Sequence, residues 1–335
     1  MDKIYDRIIN SIFNKPQGVR KYAFRALSWI GYARRTLTVK ELLVAISVDA
    51  GQYHMNSSDM YRLGDLLDIC SGLIVADKNE KSVRLVHFSV RNYLDRHQVI
   101  PEEMRGTYRA IACSTYLSFD TLKEDDHCHS PEGLDVLKRS LPFLGYAANN
   151  LSFHLSEVEQ SGYPKTTSAI LELLQNEGHR RAYCGANTKI GDLLDIPRLN
   201  LACAIGYQGA VKTLLEAADV DFNAKDTKHS LTPLSWAVRM GHEAVVKQLL
   251  GEDKVDQDCR DSNGRTPLSL AIANENPGIV LLLLDRGIMV NFTYKEVSQP
   301  DYNRAFGSTM YPLVGDREEP VYIRLRSCHK SKTSA

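Results

Sequence analysis

The stretch TPLSWAVRMGHEAVVKQLL, residues 232–250, decides the fold. It reads as two short apolar helices with Gly241 between them, and neither helix can bury its apolar face alone. Siblings are therefore expected on either side, and the chain supplies them. Leu199-Asn200-Leu201-Ala202, Thr232-Pro233-Leu234-Ser235-Trp236-Ala237 and Thr266-Pro267-Leu268-Ser269-Leu270-Ala271 fall into one register, the leucines stepping by 35 and then 34 residues. Each is followed by a second apolar group: Ala210, Val211, Leu214 and Leu215; Val245, Val246, Leu249 and Leu250; Ile279, Val280, Leu283 and Leu284. Threonine and proline open the first helix because proline is tolerated in the first turn, where its missing N–H has no partner anyway. The small alanine lets the second helix approach closely.

A TPL opening, two helices and a turn, repeated with this period, resemble the ankyrin repeat, and the signature is fullest at 232–250 and 261–287. DSNGRTPL (261–268) matches the family's turn, with Gly264 free to take a positive φ. The preceding turn, DTKHSLTPL from Asp226, lacks that glycine and is one residue longer. The first repeat has Arg198 where proline is expected, and the third has Glu275 and Asn276 where Gly241 and His242 stand in the second. The resemblance implies an ankyrin α-solenoid over 196–292 with three repeats, the first degenerate, and an irregular tail over 293–335. YPLVGD (311–316) is rejected as a fourth opening because Asp316 stands where alanine is needed.

In ankyrin proteins the turn tips and the end of the first helix line a concave protein-binding surface. Carried over by register, those positions are Ala204 and Ile205, then Lys228, Arg239 and Met240, then Asn263, Arg265, Ala273 and Asn274. Arginine brings planar hydrogen bonding and methionine adaptable packing. The competing reading is a merely solvated face, since three repeats offer an area near the lower limit for a stable complex.

Upstream, Ile4, Ile8 and Ile12, then Val19, Tyr22, Ala23, Ala26, Leu27 and Ile30, recur at helical spacing and predict two paired helices. Thr38 with Glu41 makes a capping box for a third, and Asp59 through Cys70 reads as a fourth. The period then changes: Leu73–Ala76, a polar DKNEK turn and SVRLVHF predict a β-hairpin, with a helix through Val90, Tyr93 and Leu94 behind it. Helices followed by a two-stranded wing describe a winged-helix domain. ALSWIGYARRTLTVKELLVAISVD, LLDICSGLIV and VRLVHFSVRNYLDR resemble the winged-helix segment that follows the NACHT module in fungal NLR-like ankyrin proteins. YRAIACSTYLSF and LPFLGYAANNLSFHL resemble that family's helical connector. The organisation expected is mainly α: a winged-helix domain over 1–100, a helical connector over 101–195, and the repeats. That family's ATPase chemistry sits in a GxxxxGK[ST] loop, which is absent from this sequence, so no nucleotide-binding residue is carried over and no NTPase activity is implied.

Composition narrows the function classes further. With 41 basic and 41 acidic residues the net charge is zero, so no global field draws nucleic acid or anionic membrane. The helix before the wing would set Asp59, Asp65 and Asp68 against Arg62, which opposes duplex binding. The cluster Arg20, Lys21, Arg25, Arg34 and Arg35 reads as a solvated helix face. A charged start, no membrane-length apolar run and seven cysteines without a CxxC pair predict a cytoplasmic protein, with the nucleus left open.

DDHCHS (125–130) gathers zinc-ligand types without the spacing a site needs, and His242-Glu243 begins an HExxH that Val246 breaks. No GxSxG elbow appears. His87, after an apolar strand, is expected to be a satisfied core histidine, and Trp236, in the register of Leu201 and Leu270, a core residue. The sequence thus predicts a non-enzymatic module that binds a protein partner as scaffold or regulator, with no cofactor, metal, small-molecule substrate or membrane; nucleic acid is disfavoured, a DNA-binding winged helix being the third and weakest reading. The alternative is a regulatory fragment of a NACHT/STAND NTPase switch acting in trans.

Overall fold

The computed structural model describes residues 2–286 apart from 56–59, 78, 80, 124–130, 159–163 and 192–194. Asp59, the DDHCHS cluster, YPLVGD and the tail lie outside the described residues. The chain divides into two compact units, Met1–Asp195 and a second from Ile196 onward.

The first unit opens with α1 (Asp2–Phe13) and α2 (Gln17–Tyr32). The face that α1 buries is Ile9 and Ile12; Ile4, part of the expected stripe, is 61% exposed. Helix α3 (Val39–Ser47) starts at the expected capping box, Thr38 accepting from Glu41 N while Glu41 accepts from Thr38 N. The fourth helix, α4 (Leu63–Ile69), is shorter than expected. Strands β1 (Ile74–Ala76) and β2 (Val83–Leu85) pair antiparallel with Ile74 opposite Leu85. Thr38 forms an isolated antiparallel bridge with Ser82, so the residue that caps α3 also ties it to the start of β2.

The wing ends three residues before the alternating SVRLVHF pattern suggests. His87 accepts from Ser89 N through Nδ1 as the N-cap of α5 (Phe88–Arg96), and it is exposed. This corrects the core-histidine expectation: an imidazole nitrogen can satisfy an orphan donor at a helix start, and here that need fixes the side chain at the surface.

The remaining helices of this unit are α6 (Gly106–Leu117), α7 (Pro131–Ser140), α8 (Leu144–Ser156), α9 (Pro164–Gln175) and α10 (Glu177–Ala186). Helix α6 is buried on almost every side and packs against α8 and α9. Its approach to the end of α8 requires Gly106, where a Cβ would lie 2.9 Å from that of Glu157. Trp29 of α2 is wholly buried and meets Tyr108, Phe143, Tyr146 and His154 edge-on at 5.3–6.3 Å. Arg109, 2% exposed, reaches Ser28 Oγ at 2.7 Å and Glu157 at 2.9 Å and lies over the Tyr32 ring. A charge this deep is tolerated because carboxylate, hydroxyl and aromatic face replace its water.

Within the basic cluster only Arg25 is buried; Arg34 and Arg35, beyond the end of α2, are exposed. Arg25 is 6% exposed and pairs with Asp49, as does Lys21, while Arg35 forms a two-point pair with Glu41 and Arg34 lies over Phe153. Arg25 therefore corrects the solvated-face expectation: its charge is taken up inside the fold by Asp49 and Ile46 O.

The second unit stacks three helix pairs: α11 (Arg198–Ile205) with α12 (Gln208–Leu215), α13 (Pro233–Met240) with α14 (Glu243–Leu249), and α15 (Pro267–Ala273) with α16 (Pro277–Asp285). Thr232 and Thr266 cap their helices on Ser235 N and Ser269 N, followed in each by proline at the first turn. The first repeat keeps a proline, one residue earlier, at Pro197. Trp236 is fully buried, as its register implies. Each helix pair turns through a left-handed residue: Gly206 (φ +86°), Gly241 (φ +80°) and, in the third, Glu275 (φ +54°).

Candidate functional site: the turn tips and inner-helix ends of the repeats

Two buried aspartates build the turn tips. Asp226, 2% exposed, accepts from Lys228 N (3.0 Å), His229 N (2.6 Å), Leu231 N (3.0 Å) and Trp236 Nε1 (3.0 Å). Asp261, 6% exposed, accepts from Asn263 N and Arg265 N and pairs with the Arg265 guanidinium at 2.8 Å. A carboxylate accepting several N–H bonds fixes its turn as an Asx-type loop and holds the flanking side chains outward. In the third repeat's turn Gly264 takes φ +78°; in the longer one Ser230 supplies the positive φ (+55°). The two turns are tied by Ser262 N donating to His229 O at 2.9 Å.

The neighbouring repeats are stitched along the inner ends as well. His242 Nε2 lies 3.0 Å from Ala204 O, and Asn274 Nδ2 donates to Arg239 O at 3.1 Å. The His242 ring also lies close against Gly206, where a Cβ would fall 2.4 Å from Nδ1. The truncated HExxH is thereby accounted for: His242 works as an inter-repeat strut.

Of the nine positions carried over by register, Lys228, Asn263, Ala273 and Asn274 are exposed and Arg239, Met240 and Arg265 half-buried. Ala204 and Ile205 are not accessible, at 0% and 1% exposure, which corrects their assignment to the face. Both are small or apolar residues inside α11, whose Leu199–Ile205 stretch is buried throughout; apolar composition there signals core rather than interface. Among the accessible positions Arg239 is distinctive. Its guanidinium lies 5.2 Å over the Trp236 indole, and among the described residues no acceptor takes its N–H groups. Burial, chiefly, and then the charge of Arg265 disfavour its protonated form relative to a free arginine, while Asp226 and Asp261 act the other way.

Sequence reasoning missed Asp226, Asp261 and His229. The signal was present: an aspartate stands six residues before one TPL and five before the next, in turns where only the glycine had seemed informative.

The first unit contains a cleft of about 630 Å³ lined by Arg25, Asp49, Tyr108 and Ile111 among others. Of its polar groups, Arg25 bonds to Ile46 O and Asp49, and Tyr108 to Ala45 O. Among the described residues no three histidine, cysteine or acidic side chains are grouped to hold a metal ion, and no helix is long and apolar enough to cross a membrane.

Comparison with known proteins assigns both ends of this architecture. Residues 199–294 match the family of ankyrin repeats (3 copies), and residues 12–102 match the winged helix domain described for GPI inositol-deacylase. Azaphilone pigments biosynthesis cluster protein L of Monascus ruber is 34% identical over 107 residues, 30% of this chain and 22% of that protein. The 26S proteasome non-ATPase regulatory subunit 10 of Dictyostelium discoideum is 33% identical over 100 residues, 30% of this chain and 40% of that protein. Ankyrin repeat domain-containing protein SAT10 of Stachybotrys chartarum is 40% identical over 78 residues, 23% of this chain and 4% of that protein. The matched part of this chain therefore spans less than half of each relative. Homology to ankyrin-repeat proteins points to protein–protein interaction. The chain is a mainly helical protein with an N-terminal winged-helix domain and C-terminal ankyrin repeats.

Proposed function

We propose that the chain is a non-enzymatic protein-interaction module, a scaffold or regulator, whose ankyrin face formed by Lys228, Arg239, Met240, Asn263, Arg265, Ala273 and Asn274 receives a protein partner. The observation that carries this reading is Arg239: a half-buried cation seated on an indole beside Met240, with its hydrogen-bond donors open among the described residues. Arginine stacked on an aromatic ring and pre-ordered in this way has the character of an interface hot spot. In the cleft of the first unit Arg25 and Tyr108 are bonded to backbone carbonyls of the fold, which supports the non-enzymatic half of the reading.

The test is capture of partners from a lysate of the host cell on the intact chain and on a Lys228→Glu, Arg239→Glu, Ala273→Arg variant, with crosslinks mapped by mass spectrometry. Asn274 is left in place because its side chain holds Arg239 O. A partner crosslinked to the turn tips and lost with the variant, at an unchanged thermal melt, is the expected result. Partners retained equally by both would overturn the assignment to this face.

A second reading rests on the order of the modules. A winged helix followed by helices and ankyrin repeats is the arrangement expected of the NACHT-lacking arm of an NLR-like protein, which would act in trans on a chain that carries the NTPase. Co-purification with a NACHT protein would favour it.

A further inference from the structure

We infer that the partner segment bound at the turn tips is an acidic peptide, read through aspartate or glutamate side chains by Lys228, His229, Arg239 and Arg265. This rests on the proposed interaction role of the same face and specifies its chemistry. Lys228, His229, Arg239 and Arg265 come from two successive turns and the end of α13, within electrostatic reach of one another; Arg265 is held in place by Asp261, while Lys228 and Arg239 carry the charge left to be met. His229 is held below the ordinary histidine range, chiefly by burial and then by the Arg239 charge, with Lys228 and Arg265 acting the same way and Asp226 opposing them.

The two acids beneath this cluster are already engaged. Asp226 is saturated by three backbone N–H groups and the indole N–H, and Asp261 by two backbone N–H groups and Arg265. Both carboxylates partly offset the charge of Arg239, but neither hydrogen-bonds the side chain of Arg239 or Lys228, and neither of those two side chains has an ion-pair partner among the described residues. A half-desolvated guanidinium with unmet donors is best satisfied by a carboxylate, which arginine binds through two parallel N–H bonds. Met240 and the exposed Ala273 beside it favour an apolar residue next to the acid.

The occupant is a peptide rather than a nucleic acid because the cationic area is confined to two turns, whereas duplex affinity grows with the number of phosphates neutralised. The probe is a phage-displayed library of random peptides about a dozen residues long, panned on the full chain, a length matched to a standard interface strip. Selected peptides are expected to be enriched in Asp and Glu over the starting library. A selected peptide should lose tenfold or more in affinity with Arg239→Gln and should not bind Lys228→Glu, Arg239→Glu at all, with both variants melting like the parent.

Peptides that depend on the face but carry no acidic enrichment would overturn the acidic-partner inference while leaving the interaction reading intact. Failure to select any peptide that the face variants abolish would sink both. A mixed-sequence DNA duplex that displaces the peptide and binds more tightly than it does would overturn the choice of a peptide.

Discussion

Replacing Asp226 by alanine removes the acceptor shared by four N–H groups, and the structure sets the size of the effect. Leu231 and Trp236 are each 0% exposed, so their donors have no water to turn to; each costs about 1–3 kcal/mol when left unmet. Lys228 is exposed and His229 half-buried, so hydration recovers most of their loss and leaves roughly 0.5–1 kcal/mol apiece. The expected total is about 3–8 kcal/mol, a large part of the 5–15 kcal/mol that holds a typical domain together. Asp226→Asn keeps one carbonyl oxygen in place and should cost about half as much, with an N–H₂ group now facing donors. The assay is urea unfolding followed by tryptophan fluorescence in a Trp29→Phe background, which leaves Trp236 as the sole reporter of the repeats, since the chain has two tryptophans. A loss under 1 kcal/mol for Asp226→Ala would refute the reasoning, because it would mean the turn can re-form its bonds without the carboxylate.

Glu275→Gly should stabilise the third repeat by about 1 kcal/mol, seen as a higher urea midpoint, because φ +54° costs a side-chain-bearing residue what glycine avoids. Gly206→Ala should destabilise by about 2 kcal/mol or more, since its φ is +86° and the new Cβ would meet the His242 ring; adding His242→Ala should return only the steric part in a double-mutant cycle. His179 is wholly buried and pushed down to about 4 from 6.5 by burial, so the unfolded chain binds its proton more readily. Stability should therefore be complete above pH 6.5 and fall as the pH drops toward 4, by roughly 3 kcal/mol in the first unit. His179→Gln should flatten that slope in unfolding measured between pH 7.5 and pH 4.5. Arg109→Met should cost about 3–5 kcal/mol by stranding Glu157, and Arg109→Met with Glu157→Gln should recover part of it.

The repeats were legible because their signals are periodic and local. Thr-Pro starts, apolar pairs and alanines recur in fixed register, and each is dictated by backbone geometry that every repeat must meet. The winged helix was legible through its capping box and its change of period. What was lost depended on long-range partners. Nothing near Arg25 in sequence announces Asp49 or the Tyr108 ring against it, so a buried, paired charge read as part of a solvated face. His87 looked like core because alternation does not reveal where a strand stops and a cap begins. At the candidate face, register alone placed Ala204 and Ile205 with Arg239 and Met240, yet equivalent positions in a stack differ in exposure according to what the next repeat lays over them.

The stitching between repeats bears on how such a surface can change over generations. Asn274, His242, Gln208, Asn223 and Lys225 all donate to main-chain carbonyls one repeat away, at Arg239, Ala204, Ala244, Lys254 and Arg260. A carbonyl is present whatever side chain its residue bears. At Arg239 the backbone oxygen anchors the next repeat while the guanidinium lies over Trp236, so one position serves the architecture and the proposed recognition through different atoms. Mutation can rewrite the second without disturbing the first, which leaves the receiving surface free to drift toward new partners while the scaffold beneath it is inherited unchanged.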